Sequence, residues 1–342
     1  MSRMLTLAIA TALAAGAAAA QSPSYKLVKT VPLGAPDRWD YVVFDAPSHR
    51  VYVAHGDRIT VVDGQEGRVL GEVTGMPGGT HGIAIANGKG YTDDGQAGVA
   101  VVFDPATFKV IGKVPAKEDA DGIAMDPVSG HVFVVDGDSK VLTVIDPKSD
   151  KAVATVDGGG GLEYAAAGAG GKLYVNGAEK KEILRIDTRT NTVDARWPVP
   201  GCTSPHGLAV DTANHRLFTS CVNQVLTVVN TDTGAVVASV PIGAGTDAAA
   251  YDPVRKRVFS SNGDGTLTVI AQKDPNTYAV IDALKTQVTG KTMGIDPKSG
   301  RLFIAAADVD PKAPIVPGPN GRPGRPKPLP GTLKLMMFDP AG

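Results

Sequence analysis

The sequence predicts an all-β protein, a seven-bladed β-propeller of four-stranded blades, and three observations carry that prediction. A phrase of about 41 residues recurs along almost the whole chain, a period that belongs to stacked or radial repeats. Its clearest copy is Asp121-Gly-Ile-Ala-Met-Asp-Pro-Val-Ser-Gly-His-Val-Phe-Val-Val-Asp136, continued by Val141-Leu-Thr-Val-Ile-Asp-Pro-Lys-Ser-Asp-Lys-Ala-Val-Ala-Thr-Val156. Short β-rich runs are punctuated throughout by Gly and Pro, and helical periodicity is absent, which removes solenoids of paired helices. Finally, the chain begins with an isolated fourth-strand pattern and ends on a third strand with no fourth, as a closed ring requires.

The elements follow in order. Residues 1–20 carry one early charge, Arg3, then an apolar Ala-rich run ending in Ala18-Ala19-Ala20. Small residues at that point suit a signal peptidase, so cleavage before Gln21 is expected, with a periplasmic or secreted mature chain. The run is short and Ala-dominated for a membrane span, and no other stretch is apolar enough to cross a bilayer, so no membrane insertion is expected. Residues 21–342 then form a single propeller domain. Tyr25-Lys-Leu-Val-Lys-Thr-Val-Pro-Leu-Gly34 reads as a fourth strand lacking its first three, and Leu333-Lys-Leu-Met-Met-Phe-Asp339 as a third strand lacking its fourth. Pairing the two closes the seventh blade and buries two edges. Between them, first strands start at Asp40, His81, Asp121, Glu163, His206, Asp247 and Thr292, giving units of about 40–45 residues. Turns of the Asp-Pro-x-[Ser/Thr] type separate the strands.

Repeated Asp-Pro-x-[Ser/Thr]-x and [Leu/Val]-[Tyr/Phe]-Val segments, such as Leu173-Tyr-Val-Asn-Gly177 and Val51-Tyr-Val-Ala54, span essentially all of the mature sequence. In these segments the chain resembles the YVTN/YncE-like family of seven-bladed propellers, although a literal Tyr-Val-Thr-Asn does not occur. The resemblance implies an exported module that binds a ligand or a protein partner without turning it over. The net charge of −1 supplies no global field for nucleic acid or acidic lipid, and with two tryptophans no nucleic-acid partner is expected.

The first strand of each propeller blade lines the central channel. Its small residues, Gly82 and Ala84, Gly122 and Ala124, Gly207 and Ala209, Ala248 and Ala250, fit the crowding there. The residue opening that strand is polar nearly every time: Asp40, His81, Asp121, Glu163, His206 and Asp247, then Thr292 beside Lys291. The ends of the second strands, expected on the same face, add His55, Asp93, Asp136, Asn176 and Asn262. Carboxylates converging on one channel repel unless their protons are retained, the histidines are protonated, or a cation binds. One divalent metal ion is therefore a candidate cofactor, with His81, Asp121, Glu163 and His206 as its ligands; no organic cofactor is implied. The competing reading is a solvated channel lining. His49, His131 and His215 fall in turns on the opposite face and read as solvated.

Cys202 and Cys221, an even pair in an exported chain, predict a disulfide beside His206, with a thiolate metal site as the alternative. Residues 309–330 form a Pro-rich, basic insertion in blade 7, with Arg322, Arg325 and Lys327, on the face that carries the ring. It reads either as a lid over the acidic mouth or as a tolerated surface insertion. Three functions are compatible with this pattern. The first is a small-ligand or metal-ion binding propeller. The second is a metal-dependent hydrolase or lyase, since propeller lactonases are similar in architecture and hold a divalent cation on the axis; His81 or His206 would serve as base. The third is a protein-interaction scaffold. No G-x-S-x-G nucleophile motif occurs.

Overall fold

A computed structural model describes residues 24–313, 315, 324 and 326–341. The leader at 1–20 and the basic residues Arg322 and Arg325 of the insertion lie outside them.

Seven four-stranded antiparallel sheets make up the described fold, each built from consecutive strands except the last. Blade 3 is typical: Ala120–Met125, Val132–Asp136, Val141–Asp146 and Lys151–Asp157, each hydrogen-bonded to the next. In blade 7 the order is Thr292–Ile295, Leu302–Ala306, Lys334–Pro340 and then Tyr25–Pro32 from the other end of the chain. The register of that closure runs from Tyr25 opposite Pro340 to Pro32 opposite Lys334. The expected closing strand is thus confirmed. No helix among the described residues is long and apolar enough to cross a membrane.

The local chemistry of the repeat explains the turns. After the third strands of blades 1, 3 and 5 an Asp or Asn side chain accepts the backbone N–H groups that follow: Asp63 from Gln65 and Glu66, Asp146 from Lys148, and Asn230 from Asp232 and Thr233. Such turns satisfy their own backbone, so a short polar tetrapeptide suffices between strands. His49 and His215 occupy left-handed backbone positions, φ 54° and φ 58°, in the turns between first and second strands. Both are exposed, as expected, and His131 is half-buried.

The apolar core is divided. Seven buried clusters fill the gaps between neighbouring blades, such as Phe133, Leu142 and Val144 of blade 3 against Leu173, Val175 and Leu184 of blade 4. Blade faces are apolar on both sides, and burying each large side chain contributes about 1.5–3 kcal/mol. The charged residue opening many second strands adds a second tie between blades. Arg50, Lys89 and Arg216 reach across to the carbonyls of Pro105, Pro147 and Pro275, which belong to the Asp-Pro turns of the next blade. Arg257 reaches Ser24, and Arg301 reaches Gly64 and Gln65, so the same tie links blade 6 to blade 7 and blade 7 to blade 1.

Candidate functional site

At one end of the channel the first-strand residues are set by close approach of blades. The N–H of Gly82 donates to the carbonyl of Asp121 at 2.7 Å, and a Cβ at Gly82 would lie 2.3 Å from the Ile123 nitrogen. A Cβ at Gly207 would lie 2.4 Å from the Ala249 nitrogen. Only glycine fits at these two contacts, which hold His81, Asp121, His206 and Asp247 around one opening.

Blades 1 and 4 depart from that small-residue rule. They place Tyr41 and Tyr164 directly after Asp40 and Glu163, and the same pair of backbone bonds orients both. Asp40 N–H and Ala54 N–H bond the carbonyls of Ala54 and Tyr41, while Glu163 N–H and Asn176 N–H bond those of Asn176 and Tyr164. Blades 1 and 4 are three steps apart, the maximum in a ring of seven, yet the two rings meet with centroids 4.7 Å apart, tilted by 32°. The tyrosines therefore span the channel and floor the mouth.

Carboxylates surround that floor. Burial raises the Tyr41 hydroxyl well above its ordinary range, with further upward pushes from Asp121, Tyr164, Asp40 and Glu163. Tyr164 is pushed up to about 12 by burial and by Asp40 and Asp247. Asp121 is held well above the usual carboxylate range, first by burial and then by Asp40, an effect that His81 partly offsets. Asp247 is ion-paired with Lys291. His206 Nε2 stands 3.9 Å from Glu163 Oε1, and its Nδ1 is 3.2 Å from the Ser204 carbonyl.

His81 is held more tightly. Its Nδ1 is 2.7 Å from Asp93 Oδ2, and the other oxygen of Asp93 accepts the N–H groups of His81 and Gly82. Burial disfavours the imidazolium, but the Asp93 contact outweighs it and lifts His81 to about 9. Asp93, fully buried, is pushed up to about 6 by desolvation. The guanidinium of Arg38 lies 3.3 Å from His81 Nε2 at the rim.

The remaining nominated residues are buried at the ends of second strands with their polar atoms engaged by the protein. His55 bonds Thr60 through Nδ1 and the Pro36 carbonyl through Nε2, and burial lowers its pKa. Asp136 accepts from Lys117 N–H and Thr143, and desolvation pushes it up to about 6. Asn262 bonds Thr266 and Thr268 and accepts from Ser260. Asn176 donates to the His206 carbonyl at 2.6 Å, so it positions the next blade's histidine through the backbone. A Thr five to seven residues downstream, as at Thr60, Thr143 and Thr268, was the available sign of these clamps.

Cys202 and Cys221 form the expected disulfide, with Cα atoms 5.4 Å apart. Among the described residues no group of three or more His, Cys, Asp or Glu side chains is gathered as a metal ion needs. His206 Nε2 stands 3.9 Å from Glu163, and His81 Nδ1 is 2.7 Å from Asp93.

Fold and site together define a closed seven-bladed β-propeller with a polar, tyrosine-floored mouth. No family model and no curated protein matches the sequence. Among solved structures, the chain is similar to one titled Structure of U3-55K, with a TM-score of 0.76 at 9% identity over 92% of this chain and 99% of that one. It is also similar to Kuenenia stuttgartiensis Hydrazine Synthase, with a TM-score of 0.69 at 13% identity over 86% and 96%. A third likeness is to a Crystal Structure of Mitotic Checkpoint Complex, with a TM-score of 0.71 at 13% identity over 96% and 98%. At these identities the likeness is one of fold.

Proposed function

We propose that this protein is an exported, YVTN/YncE-like propeller that binds a small ligand at the polar mouth of its channel. The observation that carries the reading is the convergence of side chains from opposite sides of the ring. Tyr41 and Tyr164 meet across the axis, within the electrostatic reach of Asp40, Asp121, Glu163 and Asp247. Aromatic side chains beside a few convergent polar groups are the usual lining of a small-molecule site. Export is supported by the apolar leader at residues 1–20 and by the disulfide, which is stable in oxidising compartments. Recovery from a periplasmic fraction of a chain beginning at Gln21 is the expected result; an intact Met1 terminus would remove that part.

The mouth is tested by thermal unfolding of the purified protein against a panel of amines, divalent cations, sugars and carboxylates. At least one class should raise Tm in the wild type and not in Tyr164→Ala. A panel that leaves Tm unchanged throughout would count against the site.

A second reading rests on the His81–Asp93 pair. A buried carboxylate on Nδ1 orients an imidazole as acid–base catalysis requires. Hydrolysis or elimination with His81 as the proton carrier predicts turnover of a lactone panel that is lost in His81→Gln. The third reading, a scaffold for protein partners, draws on the fold alone.

A further inference from the structure

A hollow of about 510 Å³ opens between the Lys180-Lys181 turn of blade 4 and the Gly201-Cys202-Thr203 loop that leads into blade 5. Such a volume lies within the range of small-molecule sites. Pro198, Val199 and Pro200 give it an apolar wall, and the two prolines carry no N–H. Charge enters the lining from Lys180 and Lys181 alone, since no Asp or Glu side chain is part of it. The carboxylates of the lysine turn are held elsewhere. Glu179 pairs with Lys140 at 3.0 Å and accepts the Gly161 N–H at 2.8 Å, while Glu182 pairs with Arg196 at 2.8 Å. Among the described residues neither Lys180 nor Lys181 forms an ion pair. Lys180 Nζ lies instead beside the Arg196 guanidinium, the two standing 3.1 and 3.4 Å from the place a Cβ would take at Gly159. Positive groups side by side repel, and an anion placed against them lowers that energy.

The facing wall is fixed. Thr203 N–H donates to Asn223 Oδ1 and Asn223 Nδ2 to the Gly201 carbonyl, both at 2.8 Å. The Cys202–Cys221 bond ties the same loop to the end of the second strand of blade 5. Val199 N–H bonds the Lys181 carbonyl at 2.9 Å, so the lysine turn and the apolar wall keep one spacing. A wall ordered before a ligand arrives needs no further ordering when it binds.

We infer that this hollow binds a small organic carboxylate, with its charged end at Lys180 and Lys181 and its hydrocarbon body against Pro198, Val199 and Pro200. An ammonium presents three donors and no acceptor, which suits a carboxylate and rejects an amine. A bare inorganic anion satisfies the lysines and leaves the apolar wall in water, whereas a hydrocarbon body covers it. The hollow is distinct from the mouth, because neither Tyr41 nor Tyr164 is in its lining.

The test is isothermal titration of the purified protein with adipate, its uncharged diamide adipamide, hexylamine and inorganic phosphate. It is repeated on Lys180→Gln, Lys181→Gln, the double lysine variant, Asn223→Ala and Tyr164→Ala. Adipate should bind more tightly than the other three. Each single lysine variant should weaken it about threefold to fivefold, as loss of an exposed ion pair does, and the double variant about tenfold or more. Asn223→Ala should weaken it too, by freeing the wall; an unchanged affinity there overturns the fixed-wall argument. Equal binding of adipamide or hexylamine overturns the charge argument, and phosphate binding as tight as adipate overturns the role of the apolar wall. No adipate binding, or binding indifferent to both lysines, overturns the site. Adipate binding that is lost in Tyr164→Ala and kept in the double lysine variant belongs to the mouth and overturns it equally. Both lysines are exposed, so their variants should fold, which their Tm checks.

Discussion

Asp121 ties the chemistry of the mouth to stability. Its folded pKa is raised, so between the ordinary carboxylate range and that raised value the folded chain binds more protons than the unfolded one. Its contribution is therefore favourable at low pH and falls as pH rises through the folded value. Asp121→Asn abolishes that titration. Denaturant unfolding between pH 5 and pH 8 should show a shallower decline in the variant and higher stability than wild type at pH 8. A variant with an unchanged slope and lower stability would contradict the upward push of burial and Asp40 on the Asp121 carboxyl. Which residues would face the mouth was partly legible in the sequence. The alternation of polar opener and small residue gives Asp121-Gly122, His81-Gly82 and His206-Gly207. The floor was signalled only by exception, where Asp40-Tyr41 and Glu163-Tyr164 put a ring in place of a small residue. That the rings meet depends on which blades stand opposite, a property of the closed ring rather than of any local segment. The second-strand residues His55, Asp136, Asn176 and Asn262 share the same end of the blade. Polarity alone could not separate a side chain facing the channel from one bonded to the adjacent strand.

At the scale of elements, the loop before the first strand of blade 5 and the end of that blade's second strand are joined by Cys202–Cys221, across 19 residues. Closing a loop of this length contributes about 3 kcal/mol in the chain-entropy model. Cys202→Ser/Cys221→Ser should lose roughly that amount by denaturant unfolding under oxidising conditions, and wild type in reductant should approach the double variant. The disulfide was readable because the repeat alignment placed both cysteines on one face of one blade. The ties between blades were less readable. The Arg-Leu-Phe beginning of a second strand marked a strand, while the acceptor of its Arg lies in the next repeat. Arg301 illustrates the consequence: it bonds Asp339 of its own blade at 2.6 and 2.8 Å and two carbonyls of blade 1 at 3.0 Å. Arg301→Ala should cost about 1–3 kcal/mol, because a carboxylate and two carbonyls lose a charged donor. An effect near zero would make the tie a surface ornament.

On the scale of the whole molecule, stability is a closed sequence of seven interfaces, and the closing one joins chain ends. Tyr25 of the N-terminal strand is fully buried, packs edge-on against Phe259 at 5.4 Å and lies under Arg257 at 5.5 Å. Asp37 accepts the N–H groups of Thr332 and Leu333 at 2.8 and 2.9 Å, fastening the start of the last strand to the chain's beginning. Tyr25→Ala should cost about 3–5 kcal/mol, as other large-to-small aromatic changes in cores do. A cost below 1 kcal/mol would contradict the closure. This level was the most legible, because a missing fourth strand at one terminus and an unmatched third at the other have one economical solution. The use of the closed ring is to bring Asp40, Tyr41, Asp121, Glu163 and Tyr164, distant in sequence, to one mouth. A crystal structure of the protein soaked in the panel compound that most raises its Tm tests that most directly. The predicted result is ligand density on the Tyr41–Tyr164 rings with a polar atom within hydrogen-bond distance of Asp121. Density only on an outer blade face, or a mouth holding water alone, would contradict it.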